Sequence, residues 1–396
     1  MDVHRSFAQV AIHEDGVTAR SFRIDLEHDA VVAFGQSLRP DDEVVLEATG
    51  NTAAIVRLLA PFVGRVVIAN PLQVKAIAHA RVKTDKVDAA ILAQLHAAGF
   101  LPEVWAADDA PLALRRPVSE RVAVVRSIRR AKSRAQAVLH ANLIPRYEGH
   151  LFGKGGRRWL AKAPLAKSER DLLVRHLEEL DWLARRLERL ERDLIRISLD
   201  DPRTRKLMTV AGISAVIATA VVASIGDIGR FASPEKLASY FGLTPRVRQS
   251  GDRMAVHGRI SKQGNATART MLVEAAWSAA AVPGPLRAFF LRIKARKGQN
   301  VAAVATARKI ATLVRALLKK EEPYRWARPA FVAMKMRKLA LRAGAPKAHG
   351  NKPGPGRDYR IKEIRHREME LVANAEAACA RMVEAWQDHR PKPKPG

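Results

Sequence analysis

The chain has 396 residues, 47% of them hydrophobic, with 69 Lys+Arg against 40 Asp+Glu and a formal net charge of +29. That excess points to a polyanionic partner, and the length and apolar fraction supply cores for two or three domains, which excludes a merely disordered basic tail. No apolar run is long enough for a bilayer span, no secretory signal opens the chain, and the lone Cys379 rules out an intramolecular disulfide or a Cys-rich zinc module; the expected compartment is the cytoplasm.

Residues 2 to 100 alternate strand and helix signals. "VHRSFAQVAI" and "VTARSFRI" flank the turn "HEDG" and read as a hairpin. "DAVVAFGQSL" then reads as a helix, "DEVVLEATG" as a buried strand, "NTAAIVRLLAPF" as a helix, "GRVVIANP" as a strand and "LQVKAIAHARV" as the start of a helical segment before Thr84. A mixed α/β sheet follows from that order.

From about residue 112 the pattern is helical and strongly basic. In "RVAVVRSIRRAKSRAQAVLHANLI" the cations take one face, along which a phosphate backbone could lie, although a solvated face explains one such helix as well. Heptads follow, with Leu173, Leu180, Leu187 and Leu194 at one position and His176, Leu183, Leu190 and Ile197 at the other. They predict a coiled-coil arm; heptads also suit a hairpin packed within the chain against residues 118 to 143. Beyond Arg203, two apolar helical stretches surround Gly212, read either as a phosphate-binding turn or as a packing glycine. A capped helix "SPEKLASYFGLTP" and a basic glycine-rich segment then lead into further helices, a Pro/Gly linker and a basic end.

Against the basic background, Asp85 and Asp88 begin a helix three residues apart and share one face. Either they are first-turn acids favoured by the helix dipole or they are half of a metal site. Asp2 starts the first strand and Glu47 ends the central one. In an RNase H-like sheet these strands lie side by side with a later helix crossing nearby, so the four carboxylates would converge. Two Mg²⁺ ions about 4 Å apart need such a cluster to hold the attacking and leaving oxygens of a phosphodiester. Ser250, in "RQSG", sits among Arg246, Arg248, Arg253, His257, Arg259 and Lys262, enough cations to polarise a phosphodiester. The plain alternative is a Ser-Gly turn, and Ser261 is the competing hydroxyl.

"DVH", "LEATG", "NPLQVKAIAHARVKTDKVDA" and "GDIGRFASPEKLASYFGLTPRVRQSGDRMAVHGRISKQGN" resemble the transposases of the insertion-sequence-110 family, relatives of the Piv-type DNA invertases, over residues 2 to about 285. The resemblance implies a RuvC-like domain with a DEDD tetrad, a coiled-coil connection and a mainly helical transposase domain bearing a nucleophilic serine. Carried over by position, the tetrad is Asp2, Glu47, Asp85 and Asp88, and the serine is Ser250. Family members usually have several residues before the first aspartate. Here only Met1 precedes it, so the first strand is expected to lack its leading half.

The expected architecture is α/β plus all-α, divided as 1–110, 111–200, 201–340 and 341–396. The expected function is an RNA-guided, Mg²⁺-dependent transposase/recombinase with a covalent serine–DNA intermediate. Its partners would be donor and target DNA, a structured guide RNA and further copies of itself, as dimer or tetramer. The alternatives are a RuvC-like Holliday-junction nuclease without serine chemistry and a non-catalytic RNA- or DNA-binding scaffold.

Overall fold

A computed structural model describes residues 1–77, 84–251, 254–347 and 355–388, and the chain divides into two compact units, Met1–Asp108 and Asp109–Gly396.

In the first unit, β1 (Asp2–Val3), β2 (Phe7–Glu14) and β3 (Val17–Asp25) form an antiparallel sheet in that order. Then come α1 (His28–Gln36), β4 (Glu43–Glu47), α2 (Thr52–Leu59), β5 (Arg65–Ala69), α3 (Pro71–Ile77), α4 (Asp85–Ala97) and β6 (Glu103–Val104). β4 and β5 are parallel, and β6 returns antiparallel to β5. The Met1 amine donates to the Val45 carbonyl at 2.6 Å, which sets β1 beside β4. The strand and helix order expected from sequence is found from β2 to α3.

One expectation is corrected: the first strand does not run unbroken through residues 3 to 12. The polar run His4–Ser6 turns the chain, His4 N bonds Phe7 O at 2.9 Å, and β1 folds back so that Asp2 pairs with Gln9. Alternation along β4 builds both faces of the sheet. Val44 and Leu46 join Val31, Phe34, Ile55 and Leu59 in one apolar cluster, while Val45 joins Val67, Val74 and Leu92 in another.

The second unit is mainly helical. α5 (Asp109–Ala141), α6 (Lys154–Lys162) and α7 (Lys167–Asp200) make an arm. The heptad leucines close against the same chain: Leu180 and Leu183 pack with Val124 and Ala131, and Leu173 packs with Ala135, Val138 and Leu139. Arg121–Glu191, Arg134–Glu179 and Arg186–Glu120, each at 2.7 Å, flank this antiparallel seam. The heptad pattern is thereby accounted for within one chain, as the hairpin alternative has it.

α8 (Pro202–Leu207), α9 (Ala215–Ile225) and α10 (Pro234–Tyr240) follow. α9 is apolar on all sides and nearly every residue of it is buried. Its last carbonyls are taken up by Arg115, Tyr240 and Arg230, which donate to Ala223, Ser224 and Ile225. Gly212, at φ +88°, turns the chain between α8 and α9; a Cβ there would overlap the Ala275 carbonyl, so it is a packing glycine as well as a turn. The ribbon β7 (Pro245–Arg248) and β8 (Val256–Ile260) precedes α11 (Ala266–Ala280), α12 (Pro285–Lys297), α13 (Gln299–Lys320), α14 (Pro329–Arg342), α15 (Pro355–Asp358) and α16 (Lys362–Asp388). The base of the arm (Val118, Leu194, Ile195) shares one core with α8 to α13. Among the described residues, no helix is long and apolar enough to cross a membrane.

Candidate active site

The acids of the first unit are placed by β1 and by the start of α4. Thr84 caps α4, its hydroxyl accepting from Val87 N at 3.3 Å, so Asp85 and Asp88 occupy the first turn where the helix dipole favours anions. Asp2 and Asp85 come together, and with them His4, with ligand atoms all within 4.8 Å of one another. The imidazole Nε2 lies 3.2 Å from Asp2 Oδ2 and 3.4 Å from Asp85 Oδ1. Arg23 reaches Asp85 Oδ2 at 3.5 Å, and its Nε donates to the buried Gln9, whose amide in turn donates to Ser21 and Phe22 across the strands. The ring of His4 stacks on Phe7.

His4 and Arg23 escaped the sequence reading. The signal for His4 was its position two residues after Asp2, on the same side of an extended chain. Glu47 and Asp88 fall outside the 4.8 Å group found among the described residues. Glu47 is nonetheless close enough to act on the Met1 amine: burial pushes that amine down to about 5, and Asp2 and Glu47 pull the other way. Part of the second acidic motif, residues 78–83, lies outside the described residues.

Two carboxylates and an imidazole converging from different elements form a donor set that a divalent ion can join, so the residues present fit a metal. They also offer an alternative partner to each acid, because His4, if protonated, and Arg23 both offset the charge.

In the second unit, Ser250 is exposed in the loop of the β7–β8 ribbon, beside Gly251 at φ +56°. Arg248 pairs with Val256 and Val247 with His257 in the ribbon, and Arg246, Arg248 and Arg259 are all exposed. The base of the ribbon is tied down: Ser261 N donates to Thr244 O at 2.8 Å, and Arg269 bonds the carbonyls of Phe241 and Lys262, both at 3.1 Å. Ser261 is therefore half-buried at the anchored end and Ser250 lies at the free end. Lys262 is exposed with φ +58°. Arg253 and the side chain of His257 lie outside the described residues. Val247, Met254 and Val256 add exposed apolar surface to the ribbon.

Comparison with known proteins bears on both units. The family model "Transposase IS116/IS110/IS902 family" matches residues 204–291, and a DEDD-type IS110 model described as "Transposase" matches residues 1–143. The chain is 36% identical over 167 residues to a "probable family 20 transposase" of Pseudomonas aeruginosa, covering 41% of this chain and 49% of that protein. It is 34% identical over 139 residues to the "transposase for insertion sequence element IS1111A" of Coxiella burnetii, covering 34% and 38%. It is 26% identical over 270 residues to the "pilin gene-inverting protein" of Moraxella bovis, covering 66% and 74%. The alignments with the first two span about half or less of each relative's length.

Proposed function

The chain belongs to the IS116/IS110/IS902 family of transposases, and from that premise we propose that it is the DNA transposase/recombinase of an insertion sequence, cutting and rejoining donor and target DNA. The observation that carries this reading is the convergence of Asp2 and Asp85 within the segment matched by the DEDD model.

On this reading Asp2 and Asp85, with Glu47 and Asp88 completing a tetrad on an RNase H-like sheet, hold Mg²⁺. When bound, the metal supplies charge stabilisation to a phosphodiester and to its departing oxygen. His4 and Arg23 orient the two carboxylates from the strand side. Ser250 is the nucleophile: its Oγ bonds to phosphorus, one bridging P–O bond breaks, the hydroxyl proton is lost and the departing sugar oxygen takes one up. The reverse exchange rejoins DNA and frees the serine. Arg246, Arg248, Arg253, Arg259 and Lys262 grip the phosphates and offset charge as it builds. A structured guide RNA carries the sequence information by base pairing, which suits a protein whose net charge is +29. Assembly into dimers or tetramers belongs to the same proposal, through surfaces other than the leucine seam.

The deciding experiment uses Ser250→Ala. The variant is expected to bind DNA as the parent does and to yield neither a covalent protein–DNA adduct on a denaturing gel nor recombinant product. An adduct that persists, or that maps to Ser261, removes the serine assignment. Junction cleavage that continues without any adduct replaces this reading with the RuvC-like nuclease. Recombination undiminished after ribonuclease treatment removes the guide RNA.

A further inference from the structure

The far end of the arm holds a cavity of about 830 Å³ between the last turns of α5 and the loop 144–152. It lies beyond both segments matched by family models, apart from the α5 residues that form one wall. That volume is in the range of small-molecule sites, room for a nucleotide unit rather than for a single ion.

Its construction combines a fixed floor with a cationic rim. Ile144, Leu151 and Phe152 pack on the cluster of Val138, Leu139 and Leu160, which anchors the loop. Leu143, 90% exposed at φ +53°, ends α5 in the left-handed region where glycine is usual, and Ile144 N closes back onto Leu139 O at 3.0 Å. The strained residue turns the chain over the helix end and makes the cleft. Lys132, His140, Arg146 and His150 line it, and none of them forms an ion pair among the described residues. Glu148 is the acid of the same loop and is exposed. Tyr147 also lines the cleft, its ring backed by Trp159 at 5.3 Å, while Lys132 Nζ stands 5.4 Å from the Phe152 ring centre.

Leading into the cleft, Arg126, Arg129 and Arg130 are exposed on α5, and Gln136 and His140 continue the Arg129 face at helical spacing. Where α5 borders α7, by contrast, Arg121 and Arg134 are neutralised by Glu191 and Glu179. Cations without an acidic partner among the described residues, beside a braced aromatic ring in a cleft, suit a chain of phosphates bearing unpaired bases: the cations take the backbone and the ring takes a base. An acidic peptide would use the cations and leave the ring idle. A base-paired duplex keeps its bases stacked on one another and has no free base face to lay on the ring.

We infer that the cleft between the end of α5 and the loop 144–152 binds a single-stranded segment of nucleic acid, stacking a base against Tyr147 and holding its phosphates with Lys132, His140, Arg146 and His150. This rests on the reading that the chain binds nucleic acid but not on its chemistry.

The test is fluorescence anisotropy of the full chain with labelled oligo(dT), roughly 12 nucleotides long, against a blunt duplex of the same length. Tyr147→Ala is expected to weaken oligo(dT) binding about tenfold, the order expected for one lost stacked base, and to leave duplex binding within about twofold; Tyr147→Phe, which keeps a ring, is expected to bind as the parent does. Because Tyr147 also packs on Trp159, the double variant Arg146→Gln, His150→Gln serves if circular dichroism shows Tyr147→Ala unfolded. It too is expected to lower single-strand affinity more than duplex affinity. Equal losses on both ligands, no loss on either, or polyglutamate competing as well as oligo(dT) would each overturn the assignment. The parent and Ser250→Ala are expected to behave alike in this assay, so a failure of the serine chemistry cannot be mistaken for a failure of the cleft.

Discussion

Asp2 and Asp85 place carboxylate oxygens within 4.8 Å of each other, one from the first strand and one from the first turn of α4, with His4 Nε2 beside both. Carboxylates this close repel unless a cation stands between them or beside them. Here protonated His4 and Arg23 can act as that cation, or a metal can.

The metal prediction follows. Asp2→Asn and Asp85→Asn are each expected to lower strand cleavage by more than the ~10–100-fold that loss of a supporting residue costs, and to leave nucleic-acid binding unchanged or slightly tighter, because an anion is removed. Chelation of divalent ions is expected to have the same effect on the parent. His4→Ala is expected to fall within the ~10–100-fold range of a supporting residue. Cleavage rates on a labelled duplex decide it: full activity in Asp85→Asn excludes the cluster.

The leucine seam gives a prediction about stability rather than assembly. Leu180 is buried against Val124 and Ala131 of its own chain, so Leu180→Ala is expected to destabilise the helical unit by about 2–5 kcal/mol without changing the mass measured by light scattering. Leu187, only partly buried, is expected to cost less. A shift in mass with unchanged unfolding temperature would return the seam to an intermolecular role.

Lys335 gives a pH dependence. Its Nζ donates to Met208 O at 2.8 Å and Ile213 O at 2.6 Å, and burial pushes it from 10.5 down to about 8. The folded state therefore releases this proton near pH 8 and the unfolded chain near 10.5, so between those values the unfolded chain binds more protons and stability rises with pH. Below about pH 8 the cost of the buried charge is present in full. The unfolding free energy of the parent minus that of Lys335→Met is expected to grow across this window by up to roughly 3 kcal/mol. A flat difference excludes the shift.

Two glycines test what a left-handed turn costs with and without crowding. Gly251 has open space around a would-be Cβ, so Gly251→Ala is expected to cost only the ~1–2 kcal/mol of the backbone conformation. Gly212→Ala adds a clash with the Ala275 carbonyl, which belongs to a packed helix and cannot yield cheaply. Thermal unfolding is expected to rank Gly212→Ala well below Gly251→Ala in stability; equal costs would mean that α11 can shift.

The alternation along β2 to α3 was legible because β4 and β5 carry continuous apolar runs, β2 and β3 flank the turn "HEDG", and the helices between them show a recognisable face. The β7–β8 ribbon was not. "PRVR" and "VHGRI" leave both faces mostly to solvent, so no apolar side marks them as strands. The break after Val3 was hidden for a related reason, since the run His4–Ser6 that turns the chain contains no glycine, proline or asparagine to mark it. At the site, Asp2 and Asp85 could be named from position and resemblance. Arg23 could not, because it reaches Asp85 only once β3 has paired with β2.

α16 supplies two helix caps from a distance. Glu376 accepts from Gly284 N at the start of α12 and Glu368 from Ala330 N at the start of α14, where neither Gly284 nor Arg328 offers a side-chain cap of its own. The donors and acceptors are 92 and 38 residues apart, so on the ribosome both helices emerge with open first turns and wait for the chain to lengthen before they are finished. A nascent chain stalled before residue 368 therefore carries two helix starts whose Gly284 and Ala330 amides are still turned to water.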